Sequence, residues 1–370
     1  MATRPKILIS CGEASGDLHA SVLVRELLRR IPDANIIAMG GDRVAAAGAN
    51  VLFHIDQYAM MGFSDVLLNL GRFIRLERNV KRILRDGVDL FIPVDYPGLN
   101  LRLAAYAKKM QIPVLYYISP QIWAWGGKRI DKIARTVDRM AVILPFEEDI
   151  YRRQGIPVDY VGHPFVEDHT LSLPMADGER DGIGLLPGSR PQEVRRILPC
   201  LLDAARHIEQ QRAGSRFVIG RNPSVPIDIY RAAIERAGMD VTIDDDAMDV
   251  MRRSKVILVA SGTATLQGAL LGTPLVIVYR VSMFNYLLAR RMVKIQNIGL
   301  VNIIFGQKVC PEFIQDDAKG ESIGRAALQL IDQGSLRRSM IEQFHSLRDI
   351  LSGGGGGRRV AEIAQELIKR

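Results

Sequence analysis

The sequence predicts an α/β protein with two domains, each built on a parallel sheet with helices on both faces. Short apolar runs alternate with amphipathic helical patterns along most of the chain, as repeated β-α-β units do. A polar stretch at 167–181 interrupts this alternation, and the same pattern restarts after it. The length of 370 residues also favours two domains, since one domain usually takes about 100–200 residues.

The predicted elements divide between two similar halves. In the first half the predicted strands are 6–11, 36–39, 90–94 and 114–118, and the predicted helices are 18–30, 71–85 and 100–109. In the second half the predicted strands are 182–186, 216–220, 241–243, 256–260 and 275–279, and the predicted helices are 192–211 and 229–237. Two such sheets are expected to face a cleft at their carboxyl edges, where two substrates can meet.

The domain boundaries follow from the same pattern. We expect an N-terminal domain at 1–166, a linker at 167–181, a C-terminal domain at 182–345 and a tail at 346–370. The glycine run at 353–357 cannot lie inside a helix, because each glycine costs about 1 kcal/mol there relative to alanine. The segment 358–370 is therefore expected to be a separate helix that docks across domains or subunits, the latter in a homodimer.

Composition narrows the class of protein. The three cysteines, Cys11, Cys200 and Cys310, give neither a disulfide framework nor a zinc pattern, which favours a reducing cytosol. No apolar run reaches the roughly 20 residues that span a bilayer, so any membrane contact is expected to be peripheral. The net charge of +8 fits nucleic acid, anionic lipid or a phosphorylated substrate. Nucleic acid is the least favoured partner, because no binding motif accompanies the charge.

Asp95 is the first candidate for chemistry, because it directly follows a predicted buried strand at 90–94. Ligands of open parallel sheets bind in the crevice outside the carboxyl ends of the strands, so this carboxylate is expected to point into a site. The alternative is an aspartate that only caps the next helix.

The turn at 12–17 is the second candidate, because small residues follow a strand and open a helix there. Its glycine spacing is not that of a dinucleotide or P-loop motif. Glu13 and Asp17 make it a poor phosphate cradle, so sugar hydroxyls are the expected partners. The alternative is a tight turn with Asp17 as the helix cap, which leaves Glu13 unexplained.

Two loops of the second half have the features of an anion site. Gly188, Ser189, Arg190 and Glu193 follow one strand, and the segment 261–267 follows another with small and hydroxyl residues at a helix start. A guanidinium beside free amides and a helix N-terminus suits a diphosphate. Each loop alone has the alternative of an ordinary turn, but two in one domain favour nucleotide binding.

Both tryptophans of the chain, Trp123 and Trp125, follow the strand at 114–118. They are expected near Asp95, either as a wall that stacks on a sugar ring or as ordinary core residues. The segment 162–164 ends a further predicted strand just before the linker, and His163 is there either an active residue of the cleft or a buried hinge histidine.

The helix at 70–85 has an apolar face and a basic face. An apolar loop precedes it, and a second apolar and basic stretch lies at 284–294. We expect either membrane-surface contact or a core-facing helix with a solvated basic face. The residues of the membrane hypothesis are Met60, Met61, Phe63, Arg72, Arg75, Arg78 and Arg82.

Seven motifs together resemble the lipid-A-disaccharide synthases, which are glycosyltransferases of the GT-B architecture, with two Rossmann-like domains facing a cleft. The motifs are GEASGD at 12–17, DYPGLN at 95–100, SPQIWAW at 119–125, GHP at 162–164, PGSR at 187–190, SGTA at 261–264 and PEFIQ at 311–315. They occur in the order of that family and span nearly the whole chain.

The resemblance implies transfer of 2,3-diacylglucosamine from its UDP conjugate to 2,3-diacylglucosamine 1-phosphate (lipid X). The products are a β-1′,6-linked disaccharide 1-phosphate and UDP. Asp95 would take the proton of the acceptor 6-hydroxyl, and Glu13 is the second catalytic candidate. The resemblance implies no metal and no cofactor. It places the protein in the cytoplasm, peripheral on the anionic inner-membrane surface.

The same resemblance, added to the loops described above, defines two sets of binding residues. The donor set is Gly188, Ser189, Arg190, Glu193, Ser261, Gly262, Thr263, Gln267, Asn302 and Glu312. The acceptor set is Ser15, Asp17, Asn100, Trp123 and Trp125.

The sequence departs from the family pattern at two positions of the second half. Gln267 stands where the family usually has glutamate, and Val301 stands where proline is common. A carboxylate binds ribose hydroxyls more strongly than an amide does, so donor affinity is expected to be lower. The alternatives are a UDP-sugar hydrolase or 2-epimerase of the same architecture, and a UDP-binding module without turnover.

Overall fold

The computed structural model describes residues 4–57, 70–123, 129–167, 169–171, 177–282 and 297–369. The chain forms two units, one of Met1–Glu167 with Leu351–Arg370 and one of Asp168–Ile350. The described helices include none that is long and apolar enough to cross a membrane.

The first unit is a seven-stranded parallel sheet with helices on both faces. Its strands are β1 Lys6–Cys11, β2 Asn35–Gly40, β3 Asn50–His54, β4 Leu90–Val94, β5 Leu115–Tyr117, β6 Arg139–Val142 and β7 Val158–Tyr160. Its helices up to the end of the sheet are α1 Ala14–Arg30, α2 Asp42–Ala46, α3 Leu70–Arg85, α4 Pro97–Lys109, α5 Ile130–Thr136 and α6 Pro145–Arg152. The strand order is β3-β2-β1-β4-β5-β6-β7.

The strands of this sheet are apolar on both faces because each face is covered by helices. On β1, Ile7 and Ile9 lie in one buried cluster with residues of α1, whereas Leu8 lies in the other cluster with residues of α3. Successive side chains of a strand point to opposite faces, which produces this division. A continuous apolar run such as 6–11 is therefore the signature of a parallel sheet covered on both sides.

The second unit repeats this design with six parallel strands. Its strands are β8 Ile183–Leu186, β9 Phe217–Gly220, β10 Thr242–Asp244, β11 Val256–Ala260, β12 Leu275–Tyr279 and β13 Glu312–Ile314, in the order β10-β9-β8-β11-β12-β13. Its helices are α7 Pro191–Gln211, α8 Ile227–Ala237, α9 Ala247–Arg253, α10 Thr263–Leu270, α11 Leu300–Phe305, α12 Gly320–Asp332 and α13 Gly334–Leu351.

The last helix, α14 Gly356–Ile368, returns to the first unit and packs against α1. Arg30 and Glu362 form an ion pair of 2.5 Å between these helices. Helix α14 begins two residues before the expected 358, so the last two glycines of the run form its first positions. Gly353 allows a close passage, since a Cβ there would lie 2.1 Å from the ring of Tyr160. The boundary expected at 345–346 falls inside α13, because that helix continues to Leu351.

The prediction of two parallel-sheet domains is confirmed, and both sheets have the Rossmann strand order. In such sheets ligands bind where the strand order reverses, outside the carboxyl ends of two adjacent strands. That position lies between β1 and β4 in the first unit and between β8 and β11 in the second. The strand predicted just before His163 is β7, whereas β3, β6 and β13 were not predicted because they are short or lie at or near a sheet edge.

Candidate functional site

The first half-site lies where β1 and β4 end side by side. Cys11 pairs with Val94 in the parallel ladder, so Gly12 and Asp95 both follow directly at the same edge of the sheet. Adjacent strands lie about 4.8 Å apart. The structure therefore brings the GEASGD and DYPGLN motifs together at the switch point of the first sheet.

Asp95 and Tyr96 have left-handed backbone conformations, with φ of 47° and 48°. Such conformations cost of order 1–3 kcal/mol each for residues other than glycine, so surrounding contacts must stabilise them. The Asp95 carbonyl accepts hydrogen bonds from Asn100 Nδ2 at 2.7 Å and from the Tyr116 hydroxyl at 2.8 Å. The Asp95 N–H donates to the carbonyl of Tyr117 at 3.0 Å. The turn that presents Asp95 is thus fixed from two neighbouring elements.

Gly12 is required by a close approach between the two motif loops. A Cβ at this position would lie 2.3 Å from the ring of Tyr96. Any side chain here would displace Tyr96 and with it the turn that carries Asp95.

The Asp95 carboxyl has a raised pKa of about 6, first because it is buried and second because the negative charge of Glu13 lies near it. A hydrogen bond from the Tyr96 N–H acts in the opposite direction. A general base works best when its pKa lies near the working pH. Asp95 is thus a stronger base than an exposed aspartate and is still largely ionised at neutral pH.

Three predicted acceptor residues of the first unit differ in their environment. Ser15 is exposed in the first turn of α1, close to Glu13. Asn100 is fully buried, and it holds β1 to the Asp95 turn through Ser10 Oγ at 2.8 Å and the Ser10 carbonyl at 3.0 Å. Asn100 therefore positions the backbone of the turn, and its contact with the acceptor stays a prediction.

Asp17 is also buried, and its carboxylate caps a helix other than the one expected. It accepts hydrogen bonds from the N–H groups of Gly41 at 2.5 Å, Arg43 at 3.2 Å and Val44 at 3.3 Å. These are the free donors at the start of α2. Asp17, on α1, thus stabilises the loop after β2. Both oxygens of its carboxylate take part in these hydrogen bonds.

Trp123 lies beyond the end of β5, next to the strand that carries Asp95. Its Nε1 donates to the Glu147 carboxylate at 3.1 Å, and its ring meets Phe146 edge to face at 5.3 Å. Trp125 lies outside the described residues.

His163 is buried, and the ring of Phe165 lies close both to it and to a second buried histidine, His19. Burial lowers the pKa of His163 to about 3 and that of His19 to about 4. The Nδ1 atom of His163 accepts the N–H of Phe165 at 3.2 Å. Both rings are neutral at physiological pH, and the burial of His163 is as expected, while its role stays a prediction.

The second half-site lies where β8 and β11 end side by side. Leu186 pairs with Val259, so the PGSR and SGTA motifs leave the sheet at the same edge. Gly188 has a φ of 118°, and a Cβ there would lie 2.7 Å from the Glu193 carboxylate. The Glu193 side chain accepts the Ser189 N–H at 3.1 Å, so this carboxylate shapes the loop.

Arg190 is the cation of this half-site. Its side chain is 70% exposed and lies 3.8 Å from the Glu193 carboxylate, a distance too long for a strong ion pair. Gly262 and Thr263 are exposed at the start of α10, and the Ser261 hydroxyl donates to the Ile298 carbonyl at 3.1 Å. The loop offers an exposed guanidinium and a helix N-terminus at one sheet edge, a combination that suits a diphosphate.

Asn302 and Glu312 form an internal network beside this loop. Glu312 accepts the N–H groups of Ile298 at 3.0 Å and Gly299 at 2.8 Å, and the Asn302 amide at 2.7 Å. Asn302 is fully buried and bonded to Glu312, and its contact with the donor stays a prediction. Gln267 is half-buried on α10.

Helix α3 has the division of faces expected from the sequence. Leu76, Val80 and Leu84 are buried in the first unit. The arginines of the membrane hypothesis that lie on α3, Arg72, Arg75, Arg78 and Arg82, are all exposed. Met60, Met61 and Phe63, as well as the stretch 284–294, lie outside the described residues.

Comparison with known proteins identifies the family of the chain. The profile of the lipid-A-disaccharide synthetase family matches residues 7–353. The chain belongs to the lipid-A-disaccharide synthetase family. It is 39% identical to the lipid-A-disaccharide synthase of Trichlorobacter lovleyi, with 99% of each chain covered. It is 36% identical to that of Geobacter sulfurreducens, with 99% of this chain and 98% of the relative covered.

Solved structures share the fold at much lower identity. The UDP-GlcNAc 2-epimerase of Neisseria meningitidis has a TM-score of 0.65 at 11% identity, with 99% of this chain and 100% of that chain covered. The kitacinnamycin glycotransferase has a TM-score of 0.62 at 13% identity, over 99% of this chain and 100% of that chain. Such similarity shows the fold alone, so the family assignment rests on sequence.

Sequence reasoning missed several residues that shape the site. Tyr116 reads as an ordinary strand residue, and no local signal connects it with Asp95. The sequence around Glu147 contains a weak signal for a helix start, because a proline and then acidic residues follow a strand there. Acidic residues are favourable in the first turn of a helix. The contact of Glu147 with the Trp123 segment depends on the pairing of β5 with β6.

Proposed function

We propose that this protein transfers 2,3-diacylglucosamine from UDP-2,3-diacylglucosamine to lipid X. As a member of its family it is a glycosyltransferase that forms the lipid A disaccharide. The observation that carries the residue-level proposal is the placement of Asp95, beside Glu13, at the switch point of the first sheet.

Asp95 acts as the general base in this proposal. It takes the proton of the acceptor 6-hydroxyl while that oxygen attacks the anomeric carbon of the donor. The bond between the anomeric carbon and the diphosphate oxygen breaks, and UDP leaves with the electron pair, which inverts the anomeric centre. Glu13 contributes its charge, which raises the pKa of Asp95 and makes it a better base.

The donor diphosphate belongs to the loops after β8 and β11. Negative charge grows on the diphosphate as it departs, and Arg190 with the N-terminus of α10 neutralises that charge. Gly188 and Glu193 give the loop its shape. Gln267 takes the ribose hydroxyls through neutral hydrogen bonds, which are weaker than those of a carboxylate.

Membrane contact belongs to the same proposal, because both substrates carry acyl chains. The four exposed arginines of α3 support attraction to an anionic surface, where each basic residue adds about 1 kcal/mol. The protein is accordingly proposed to work at the cytoplasmic face of the inner membrane.

One assay separates this function from its alternatives. UDP release is measured from UDP-2,3-diacylglucosamine with and without lipid X, and the lipid products are separated by chromatography. The proposal predicts UDP release and a disaccharide product only when lipid X is present. Release of free sugar without an acceptor would identify a hydrolase or an epimerase-type reaction. UDP binding without turnover would identify a binding module.

A further inference from the structure

Glu147 is a buried acid in the first turn of α6, and only 2% of the residue is exposed. It accepts hydrogen bonds from the Ser119 hydroxyl at 2.6 Å, Trp123 Nε1 at 3.1 Å and the Leu144 N–H at 3.2 Å. Two of these donors belong to the segment 119–123, and the third belongs to the start of α6. The carboxylate thus links the segment 119–123 to the start of α6 through hydrogen bonds.

A buried carboxylate is unfavourable unless it is compensated. Among the residues that the structure describes, no cation pairs with Glu147, so its three hydrogen bonds provide the compensation. An apolar side chain would fill the same space without this cost, but it would leave Ser119 and the Trp123 indole without an acceptor.

The Trp123 ring is fixed at two places. Phe146 meets it edge to face with an interplanar angle of 86°, and Glu147 accepts its Nε1 hydrogen. These contacts together set the plane of the ring, because the first limits its tilt and the second its rotation about the side-chain bonds.

We propose that Glu147 is a positioning residue for the acceptor, which orients the Trp123 ring on which the acceptor sugar stacks. The inference rests on the proposed function, since it takes Trp123 as an acceptor contact. Glu147 itself does not touch the substrate.

The protonation state of Glu147 changes the strength of this arrangement. Burial raises the pKa of its carboxyl to about 7, against the opposing effect of the donors from Ser119, Trp123 and the backbone of Ile143 and Leu144. Among the described residues, Tyr151 is the further titratable group that interacts with Glu147, and burial raises the pKa of its phenol well above the ordinary value. Hydrogen bonds to the ionised carboxylate are stronger than those to the neutral acid. The Trp123 ring is therefore held more firmly above neutral pH than below it.

The test compares Glu147→Gln with Glu148→Gln, a matched control on the next residue of α6. Glu148 is partly exposed and pairs with Arg152 at 2.8 Å. Indole fluorescence is followed against pH in a Trp125→Phe background, so that Trp123 is the reporter. We expect a titration with a midpoint near pH 7 in the parent and in Glu148→Gln, and none in Glu147→Gln.

Kinetics of the full enzyme provide the second readout, with Trp125 retained. We expect Glu147→Gln to raise the KM for lipid X about tenfold, while kcat changes less than about twofold. UDP affinity should stay the same. The parent KM should fall as the pH rises through 7, and this dependence should be absent in Glu147→Gln. The lipid X phosphate also titrates, but its effect on KM is the same for the parent and for Glu147→Gln. The difference between the two pH profiles therefore reports Glu147.

Ser119→Ala provides a milder variant in case Glu147→Gln does not fold. The Ser119 hydrogen bond lowers the pKa of Glu147, so its loss should move the fluorescence midpoint to higher pH. A titration that persists in Glu147→Gln, or a midpoint that Ser119→Ala leaves in place, would overturn the proposal. So would a lost titration with an unchanged KM for lipid X. Failure of the proposed function would give a different result. The fluorescence of the parent would titrate near pH 7, but the parent would transfer no sugar.

Discussion

The hydroxyl of Tyr116 donates a hydrogen bond of 2.8 Å to the main-chain carbonyl of Asp95. Tyr116 is fully buried on β5, and the carbonyl belongs to a residue with a φ of 47°. The contact therefore stabilises the left-handed turn that presents the Asp95 carboxylate.

Tyr116→Phe is predicted to lower activity through this turn. Loss of one buried hydrogen bond should lower the free energy of unfolding by about 1 kcal/mol. A misplaced base should lower kcat about tenfold, with KM nearly unchanged. Tyr106→Phe is the matched control, because Tyr106 lies on α4 and packs against Lys81. Equal kcat values in the two variants would remove the positioning role of Tyr116.

Arg190→Ala is predicted to weaken UDP binding and to slow transfer together, because the proposed role of the guanidinium is to neutralise charge that grows on the leaving diphosphate. Arg190→Lys should restore little of the UDP affinity or the transfer rate, since lysine lacks the planar set of hydrogen-bond donors of a guanidinium. Calorimetry with UDP and transfer kinetics check both effects, with Arg195→Ala on the exposed face of α7 as control. Unchanged UDP affinity in Arg190→Ala would exclude this loop as the diphosphate site.

The pH dependence of stability should contain opposing contributions. Burial lowers the pKa of His163 to about 3, from about 6.5 in the unfolded chain, so its stabilising contribution is lost as the pH falls below 6.5. Burial raises the pKa of Glu147 to about 7, so the stability linked to its bound proton is lost as the pH rises from about 4.5 to 7. His19, whose pKa is lowered, contributes like His163, and Asp95, whose pKa is raised, contributes like Glu147.

Single variants should separate these contributions between pH 4.5 and 6.5. Glu147→Gln should make the free energy of unfolding rise more steeply with pH, by up to about 1.4 kcal/mol per pH unit for one proton. His163→Asn should make the rise shallower, and its side chain keeps an acceptor for the Phe165 N–H. Urea unfolding at several pH values measures both slopes. Parallel slopes in the parent and both variants would contradict these pKa shifts.

Vesicle binding tests the membrane proposal. Cosedimentation with anionic vesicles should fall steeply with salt, because charge attraction is screened within about 10 Å at 0.1 M salt. Arg75→Gln with Arg78→Gln should weaken binding by about 2 kcal/mol. The matched control is Arg231→Gln with Arg236→Gln, on exposed positions of α8. Replacement of Met61 and Phe63 by serine should weaken the binding that remains at high salt. Vesicle binding that changes neither with salt nor with any of these substitutions would exclude this face of the protein as the membrane-binding surface.

The sequence predicted what depends on local pattern. Apolar runs located β1, β4, β8 and β11, and the polar residues after these runs located the two half-sites, because the ends of adjacent parallel strands share one sheet edge. Asp95 was found in this way.

The supporting contacts were not predicted, because they join residues that are far apart in the chain. Asp17 caps a helix that begins 25 residues later, and Ser10 on β1 forms a hydrogen bond with Asn100 on α4, 90 residues away. Asn100 and Asn302 were assigned as ligand contacts from the family resemblance, which carries no information on their backbone partners. Both are buried and donate to backbone carbonyls around the half-sites.

The most direct test of the account is the effect of Asp95→Asn on transfer and on UDP affinity, measured on the same preparation. Loss of a general base should lower kcat by about 10²–10⁴. The UDP dissociation constant should stay within about twofold, because the donor diphosphate is assigned to the loops after β8 and β11. A decrease in kcat of tenfold or less, with UDP affinity unchanged, would contradict the assignment of Asp95 as the base.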